Sequence, residues 1–330
     1  MKASAVAAVK EQPVTALRLL VDGRPLAEEG SIRYATPLHK AEVEWTITLP
    51  PGKHQLVVLA RSPDSSSTAN TIEVAVADPR MVKKVGRAEE LVAGEFTKLF
   101  GSCFRIGKTR NVCFGWPSEA RILIGAHFDS VPNTPGADDN ASAVAVMLAV
   151  AKALGQRRDV MYVAFNSEEV NLAGSREFVK ELAGEMKVLE QVHVLEMVGY
   201  RDRRPNSQKN PLPMIQAPTT GDFLAVVANQ GRLVDQIIED AGSIMVPVVG
   251  LALPPGLPVT AIQQISPHLL RSDHAPFWEK NIPAVMWTDT SEFRNPNYHQ
   301  PTDTPETLDY EFTAEVAKLL VEVVGHSCAG

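Results

Sequence analysis

Cysteine is scarce in this chain of 330 residues: Cys103, Cys113 and Cys328 are the whole complement. Three thiols cannot build a disulfide framework, so the fold has to stand on its apolar core. Cys103 and Cys113 could pair across a hairpin, but free buried thiols are the expected state. Also missing is any apolar run near the roughly 18 to 20 residues that span a bilayer, so no membrane partner is expected. There is no basic block either. Lys and Arg are scattered among Asp and Glu, the formal charge is -7 and the pI near 5.7, which excludes an electrostatic footprint for nucleic acid. Met1-Lys2 and the short Ala/Val stretch to Val9 stop at Lys10-Glu11, short of a signal-peptide core. A leader already removed is compatible with this, and the compartment stays open between cytoplasmic and secreted. No repeat of about 20 to 50 residues is visible, which excludes solenoids and propellers.

What is present is an ordinary globular composition, 45% apolar and 22% charged, enough to build a sizeable core in two domains. Residues 1–80 carry short β-rich runs separated by turn chemistry and read as a small all-β, sandwich-like module. Its runs are Thr15–Val21, Val43–Leu49, His54–Ala60 and Ile72–Val76, with turns at Asp22-Gly23 and Pro50-Pro51-Gly52. That suggests about five strands, with Ser62–Ser67 as an exposed loop between two of them. The boundary falls near Asp78-Pro79. Over 81–330 a helical stretch from Met81 to about Leu99 is followed by apolar strand runs alternating with helical ones. This is the pattern of an α/β domain with a mixed, mostly parallel central sheet flanked by helices. Arg121–Gly125, Val160–Phe165 and Val192–Met197 are its compact strand runs, and a buried helix begins near Ala141 and stops at Gly155. Residues 203–218 and 247–268 are rich in proline and are expected to be long surface loops, of the kind that wall a substrate crevice.

Chemistry-bearing residues gather where those strands run out. His127 and Asp129 lie two residues apart on one face, so one can bind a metal while the other orients it; alone, His-x-Asp is more often structural. Asp138-Asp139-Asn140 leads into the buried helix. Acids there are often mere caps, and the alternative is a carboxylate bridging two cations ~3.5 to 4 Å apart. Glu168-Glu169 follows the strand ending at Phe165, where two adjacent acids are costly unless cations neutralise them. Glu196 is a further acid in an apolar strand. Asn297–Thr304 contains Tyr298 and His299, and Ser272-Asp273-His274 precedes it. Singly, each of these histidines would more often be an ordinary one. Together, two histidines and several carboxylates in a cysteine-poor chain point to a carboxylate and imidazole metal site. Phe277 and Trp278 could line a pocket, with core packing expected for one or both.

The ordered series His127-x-Asp129, Gly136–Asn140, Glu168-Glu169, Leu195-Glu196-Met197, Ser272–His274 and Tyr298-His299 resembles the co-catalytic dizinc aminopeptidases, a family that includes glutamate carboxypeptidase relatives. The likeness spans roughly residues 85 to 325 and leaves out the β-rich module. It implies a zinc exopeptidase fold and two Zn2+ ions, with Asp139 between them. His127 and Glu196 would complete one site, and Glu169 and His299 the other. Glu168 would be the general base, and Tyr298 would hydrogen-bond the scissile carbonyl. Asp129 would orient His127, with Asp273 and His274 in support. Glu196 departs from the family, in which the position is usually aspartate; the extra methylene bears on affinity, metal preference or substrate class.

The implied activity is removal of N-terminal residues from peptide substrates by zinc-activated water. A glutaminyl cyclase-like single-zinc acyltransferase and a carboxypeptidase or dipeptidase are the alternatives within the fold. From a different class, a non-catalytic binding protein stays open, since the β module could be a docking piece, although a spacer role is the simpler one. Side-chain preference and oligomeric state are not legible in the sequence.

Overall fold

The computed structural model describes the backbone of residues 2–8, 16–21, 24–25, 32–35, 40–46, 52–62, 65–76 and 79–326, the last apart from 183–188 and 213–216. Side chains are described for Leu20 and, with the same two gaps, for residues 86–326. The chain divides into two compact units, Met1–Val82 and Lys83–Gly330.

Up to Val76 every described residue is strand: β1 (Lys2–Ala8), β2 (Ala16–Val21), β3 (Arg24–Pro25), β4 (Ile32–Ala35), β5 (Lys40–Thr46), β6 (Gly52–Ser62) and β7 (Ser65–Val76). They form two antiparallel sheets, β1-β5-β4 and β3-β2-β6-β7. The count exceeds the five strands expected, because β1, which reads in sequence as a short Ala/Val stretch, pairs with β5 from Lys2↔Thr46 to Ala8↔Lys40. The Ser62–Ser67 loop also shrinks: Ser65, Ser66 and Ser67 pair with Ser62, Arg61 and Ala60. Serine does not oppose an extended backbone once an antiparallel ladder takes up its hydrogen bonds. The turns at Asp22-Gly23 and Pro50-Pro51 lie outside the described residues.

The second unit contains α1 (Pro79–Phe100, which crosses the boundary in sequence), β8 (Phe104–Ile106), β9 (Asn111–Phe114), β10 (Ile122–His127), α2 (Ala143–Leu154), β11 (Val160–Phe165) and α3 (Ala173–Leu182). It continues through β12 (Gln191–Glu196), β13 (Leu224–Ala228), α4 (Gly231–Ile244), β14 (Val248–Ala252), α5 (Val259–Ile265), α6 (Ala275–Glu279), β15 (Ala284–Thr288) and α7 (Tyr310–His326). The sheet order is β14-β13-β15-β12-β10-β11-β9-β8. Its centre, β15-β12-β10-β11, is parallel, while β9 and β13 join that centre antiparallel.

Side-chain alternation sorts these strands between two cores. Ile122, Ile124 and Ala126 face the helices α1, α2, α4 and α7, while Leu123 faces α3 and α6; on β11, Tyr162 and Ala164 take the first side and Met161, Val163 and Phe165 the second. With both faces covered, the central strands are apolar at nearly every position. Each large side chain buried in this way contributes about 1.5–3 kcal/mol. Phe277 and Trp278 both belong to the second core.

The proline-rich 247–268 segment is not a loop. It holds β14, which pairs in parallel with β13 from Leu224↔Val248 to Ala228↔Ala252, and α5. Pro247, Pro254 and Pro258 flank these elements without interrupting them, and β14 is an edge strand, where proline neighbours are tolerated. The described residues of 203–218 have neither helix nor strand, and a single bridge, Asp202↔Gly221, joins the two ends of the segment. Cys103 and Cys113 are free thiols, the latter buried, and Cys328 lies outside the described residues. Among the described residues no helix is long and apolar enough to cross a membrane.

Candidate metal centre

Parallel strands end together. His127 closes β10, Glu196 closes β12, and Glu168 and Glu169 follow β11 after Asn166-Ser167, so all four leave the same edge of the sheet. Ligand sites in open α/β sheets form at this edge. Asp139 comes from the loop between β10 and α2, which turns at Gly136, a residue with φ 75° whose Cβ would strike the Asp139 carbonyl oxygen at 2.8 Å. His299 comes from the long loop between β15 and α7.

These side chains converge. The Asp139 carboxylate sits between two imidazoles: Oδ1 is 3.4 Å from His127 Nε2 and Oδ2 is 3.1 Å from His299 Nε2. Each imidazole has a second acid, Glu196 Oε2 at 3.4 Å from His127 Nε2 and Glu169 Oε2 at 3.3 Å from His299 Nε2. Ligand atoms of His127, Glu168 and Glu196 lie within 4.8 Å of one another, and so do those of Asp139, Glu169 and His299. Either trio could hold a metal ion.

Electrostatics fit cations there. Burial raises the carboxyls of Glu168 and Glu169, Glu168 well above the ordinary range, with neighbouring acids adding to the effect. Burial alone would depress His127, yet Glu196 and Glu168 hold it well above 6.5; His299 is raised to about 9 by Asp139 and Glu169 despite its own burial. Burial opposes the ionised form of Asp139 too, but the two imidazoles that face it bring it below the usual carboxylate range. Four carboxylates crowded this way demand positive charge. Buried His127 Nε2 and Glu169 Oε1 have no hydrogen-bond partner, and a donor set of carboxylate and imidazole suits zinc.

Supporting contacts fix the cluster. The Asp129 carboxylate accepts the backbone N–H groups of Glu168 at 3.1 Å and Glu169 at 3.2 Å. His127 Nδ1 is nearest the Asp129 backbone oxygen, at 3.1 Å, with the carboxylate at 3.6 Å, so Asp129 orients the imidazole chiefly through its main chain. Ser272 Oγ donates to Glu196 Oε2 at 2.7 Å. Asp273 is fully buried beside the cluster, and that burial raises its carboxyl to about 7. His274 turns elsewhere: its Nε2 donates to the Leu269 carbonyl at 2.8 Å, and burial lowers it to about 4, so it stays neutral. Tyr298 stacks on His299 with ring centres 3.8 Å apart. Three residues beside the cluster, Ser167, Met197 and His299, have φ of 62°, 48° and 57°. Such backbone costs about 1–3 kcal/mol per residue and clusters at functional sites.

Residues 111–324 match the family model described as peptidase family M28. The chain belongs to that family. Among similar proteins, the uncharacterized protein YfbL of Escherichia coli is 36% identical over 223 residues, covering 62% of this chain and 67% of YfbL. Aminopeptidase YwaD of Bacillus subtilis is 29% identical over 210 residues, and the matched part spans 62% of this chain and 40% of YwaD. Among solved structures, the Legionella pneumophila aminopeptidase LapA superposes with a TM-score of 0.54 at 22% identity, over 76% of this chain and 65% of LapA. LapB from the same organism gives 0.57 at 19%, over 77% of this chain and 73% of LapB. At these identities the two structures establish a shared fold, the mixed α/β sheet described above.

Other residues that build the site are given no supporting role from the sequence. Asn140 clamps the Asp139 loop to the end of β12, its Nδ2 donating to the Leu195 carbonyl at 3.0 Å and its Oδ1 accepting the Met197 N–H at 2.9 Å. Asp303 accepts the N–H groups of Asp138 and Asp139 at 2.9 and 3.2 Å. Asp138 is more than a cap: it accepts from Gly199 N, Ser142 Oγ and Asn295 Nδ2. Burial raises Asp138 to about 6 and neighbouring Asp289 well above its ordinary value. Only the Asp-Asp-Asn run and the isolated acid at Asp303 could have drawn attention to them.

Proposed function

We propose that this chain is a zinc-dependent aminopeptidase that holds two ions. The position of Asp139 carries the proposal, since its two carboxylate oxygens each face a different imidazole with its own glutamate. His127 and Glu196 would hold one ion, Glu169 and His299 the other, with Asp139 shared. When bound, such ions polarise a carbonyl and make water a nucleophile near neutral pH.

The chain's own residues supply the remainder. Glu168, buried and raised, is the base that takes a proton from the attacking water and returns it to the leaving amine. Its backbone is fixed by the Asp129 carboxylate, which accepts the Glu168 N–H. Tyr298 donates its hydroxyl to the scissile carbonyl oxygen as charge develops there.

An open cleft lies beside the cluster, lined by Asp139, Glu168, Glu169, Glu196 and His299 on its metal side. Its floor is one face of the sheet, where Ala225 and Val227, Val249 and Leu251, and Met286 lie at alternating positions, and Phe223, Leu269 and Phe293 rise around them. It therefore suits an apolar side chain on the residue removed. Among the described residues lining it, Arg271 is the one guanidinium and there is no lysine. Arg271 is engaged with Glu292 and Tyr298, so a substrate α-carboxylate has no free cation to meet. The acidic cluster favours a free α-amine, which supports the aminopeptidase over a carboxypeptidase. Two imidazoles on opposite oxygens of Asp139, each with its own glutamate, favour two ions over the single ion of a cyclase-like transferase.

Initial rates on a panel of aminoacyl-p-nitroanilides test this, comparing zinc-replete protein, chelated protein and Glu168→Gln. Turnover by the replete protein alone, fastest on leucyl or phenylalanyl substrates, is expected. No turnover of any unblocked substrate would overturn the proposal.

A further inference from the structure

The loop ahead of α6 places Arg271 and Ser272 on two sides of the metal cluster. Ser272 reaches Glu196, as described, and Arg271 turns the other way. Its Nη2 donates to the Tyr298 hydroxyl oxygen at 2.7 Å, and its guanidinium carbon lies 5.6 Å from the centre of the Tyr298 ring. The other terminal nitrogen is held by Glu292 and by His268 Nδ1 at 3.1 Å. His268 is itself fixed edge-on against Phe293, ring centres 5.0 Å apart. An unbroken set of contacts thus runs from Glu292 through Arg271 and Tyr298 to His299, on which Tyr298 stacks.

Direction follows from chemistry. A guanidinium has donors and no acceptor, and it stays charged at any working pH. In this contact the Tyr298 oxygen must accept, so its own proton is left for another partner. Both residues line the cavity beside Glu168, and the cationic neighbour also polarises the phenol O–H towards donation.

We propose that Arg271 is a positioning residue for the reaction: it occupies the acceptor side of the Tyr298 hydroxyl and so directs the phenol proton at the carbonyl oxygen of the scissile bond. This rests on the aminopeptidase reading above. Glu292 sets the guanidinium in place and neutralises its charge, so that Arg271 orients Tyr298 without capturing substrate carboxylates.

The test is a double-mutant cycle of Arg271→Met and Tyr298→Phe, with kcat and KM on the aminoacyl-p-nitroanilide that the native protein cleaves fastest, and with zinc content measured for every variant. Tyr298→Phe is expected to lower kcat about 100-fold, as loss of one oxyanion donor does. Arg271→Met should lower kcat about 10-fold with KM and zinc content unchanged, and the double variant should be no slower than Tyr298→Phe alone. Arg271→Lys, which keeps a donor, should recover part of the rate. Multiplicative losses, a native rate in Arg271→Met, or loss of zinc from that variant would overturn the proposal. A native protein that binds zinc yet cleaves no unblocked substrate would instead remove the aminopeptidase reading, and this proposal with it.

Discussion

His299 Nε2 lies 3.1 Å from Asp139 Oδ2, while the other oxygen of the same carboxylate faces His127. Imidazoles 172 positions apart in sequence thereby share one acid. If that acid serves both ions, Asp139→Asn should disable both sites together. Zinc at ~100 times its dissociation constant should stabilise the native protein by about 2.7 kcal/mol, and the variant should show almost none of this in zinc-dependent thermal melts. A variant that keeps the full shift would argue against a shared ligand.

Ser272 makes a different kind of contribution. Its hydroxyl donates to Glu196 and fixes that side chain against the His127 imidazole. Removing such an outer partner typically costs about 10- to 100-fold in metal affinity. Calorimetric titration of Ser272→Ala should show one of the two ions weakened by that amount and the other unchanged, with Ser272→Thr near native. Equal weakening of both would point to general disruption of the loop.

Gly174, at the start of α3, connects the fold to the chemistry. A Cβ there would lie 1.9 Å from the Asn166 carbonyl oxygen and 2.6 Å from Asn111 Oδ1. The Asn166 backbone leads directly to Glu168 and Glu169, and the Asn111 side chain is held where it is by the Asn166 N–H on its Oδ1 and by its own Nδ2 bond to the Gly174 carbonyl. Gly174→Ala should destabilise by about 1–3 kcal/mol, as overpacking does, and lower activity with it. Urea denaturation beside a rate assay would detect both, and a native midpoint would contradict the packing described.

Acid stability has an identifiable contributor away from the metal cluster. The Glu89 carboxyl on α1 is held below its ordinary 4.5, first by the hydrogen bond from Arg110 and also by Arg105. A depressed carboxyl contributes stability that is present above pH 4.5 and fades as pH falls through the folded value. Glu89→Gln should therefore be less stable than the native protein at pH 6 to 7, and the difference should close on acidification below the folded pKa. Chemical denaturation across that range checks it; a gap that widened in acid would reverse the sign.

Much of the site was legible because its residues stand where apolar runs end. His127, Glu168, Glu169 and Glu196 each close or follow a buried strand, and a parallel centre brings those ends together. The supports were not, because they depend on folding across long separations: Asp303 meets Asp138 from 165 positions away, and Arg271 meets Tyr298 only after the chain has passed through α6 and β15. β14 was hidden for another reason. Prolines that bound an edge strand have the same composition as prolines that fill a loop, and only pairing with β13 tells them apart. The misassigned Ser62–Ser67 segment shows the converse, polar residues drawn into a strand by a partner.

The most direct test of the account is a zinc titration of metal-free protein, followed by ion binding and by hydrolysis of leucyl-p-nitroanilide in the same samples, with Glu168→Gln alongside. The expected result is two ions bound per chain by both proteins, activity that rises with their occupancy in the native chain, and a loss of roughly 100-fold or more in Glu168→Gln. Binding of a single ion at full activity, or a Glu168→Gln variant as fast as native, would contradict it.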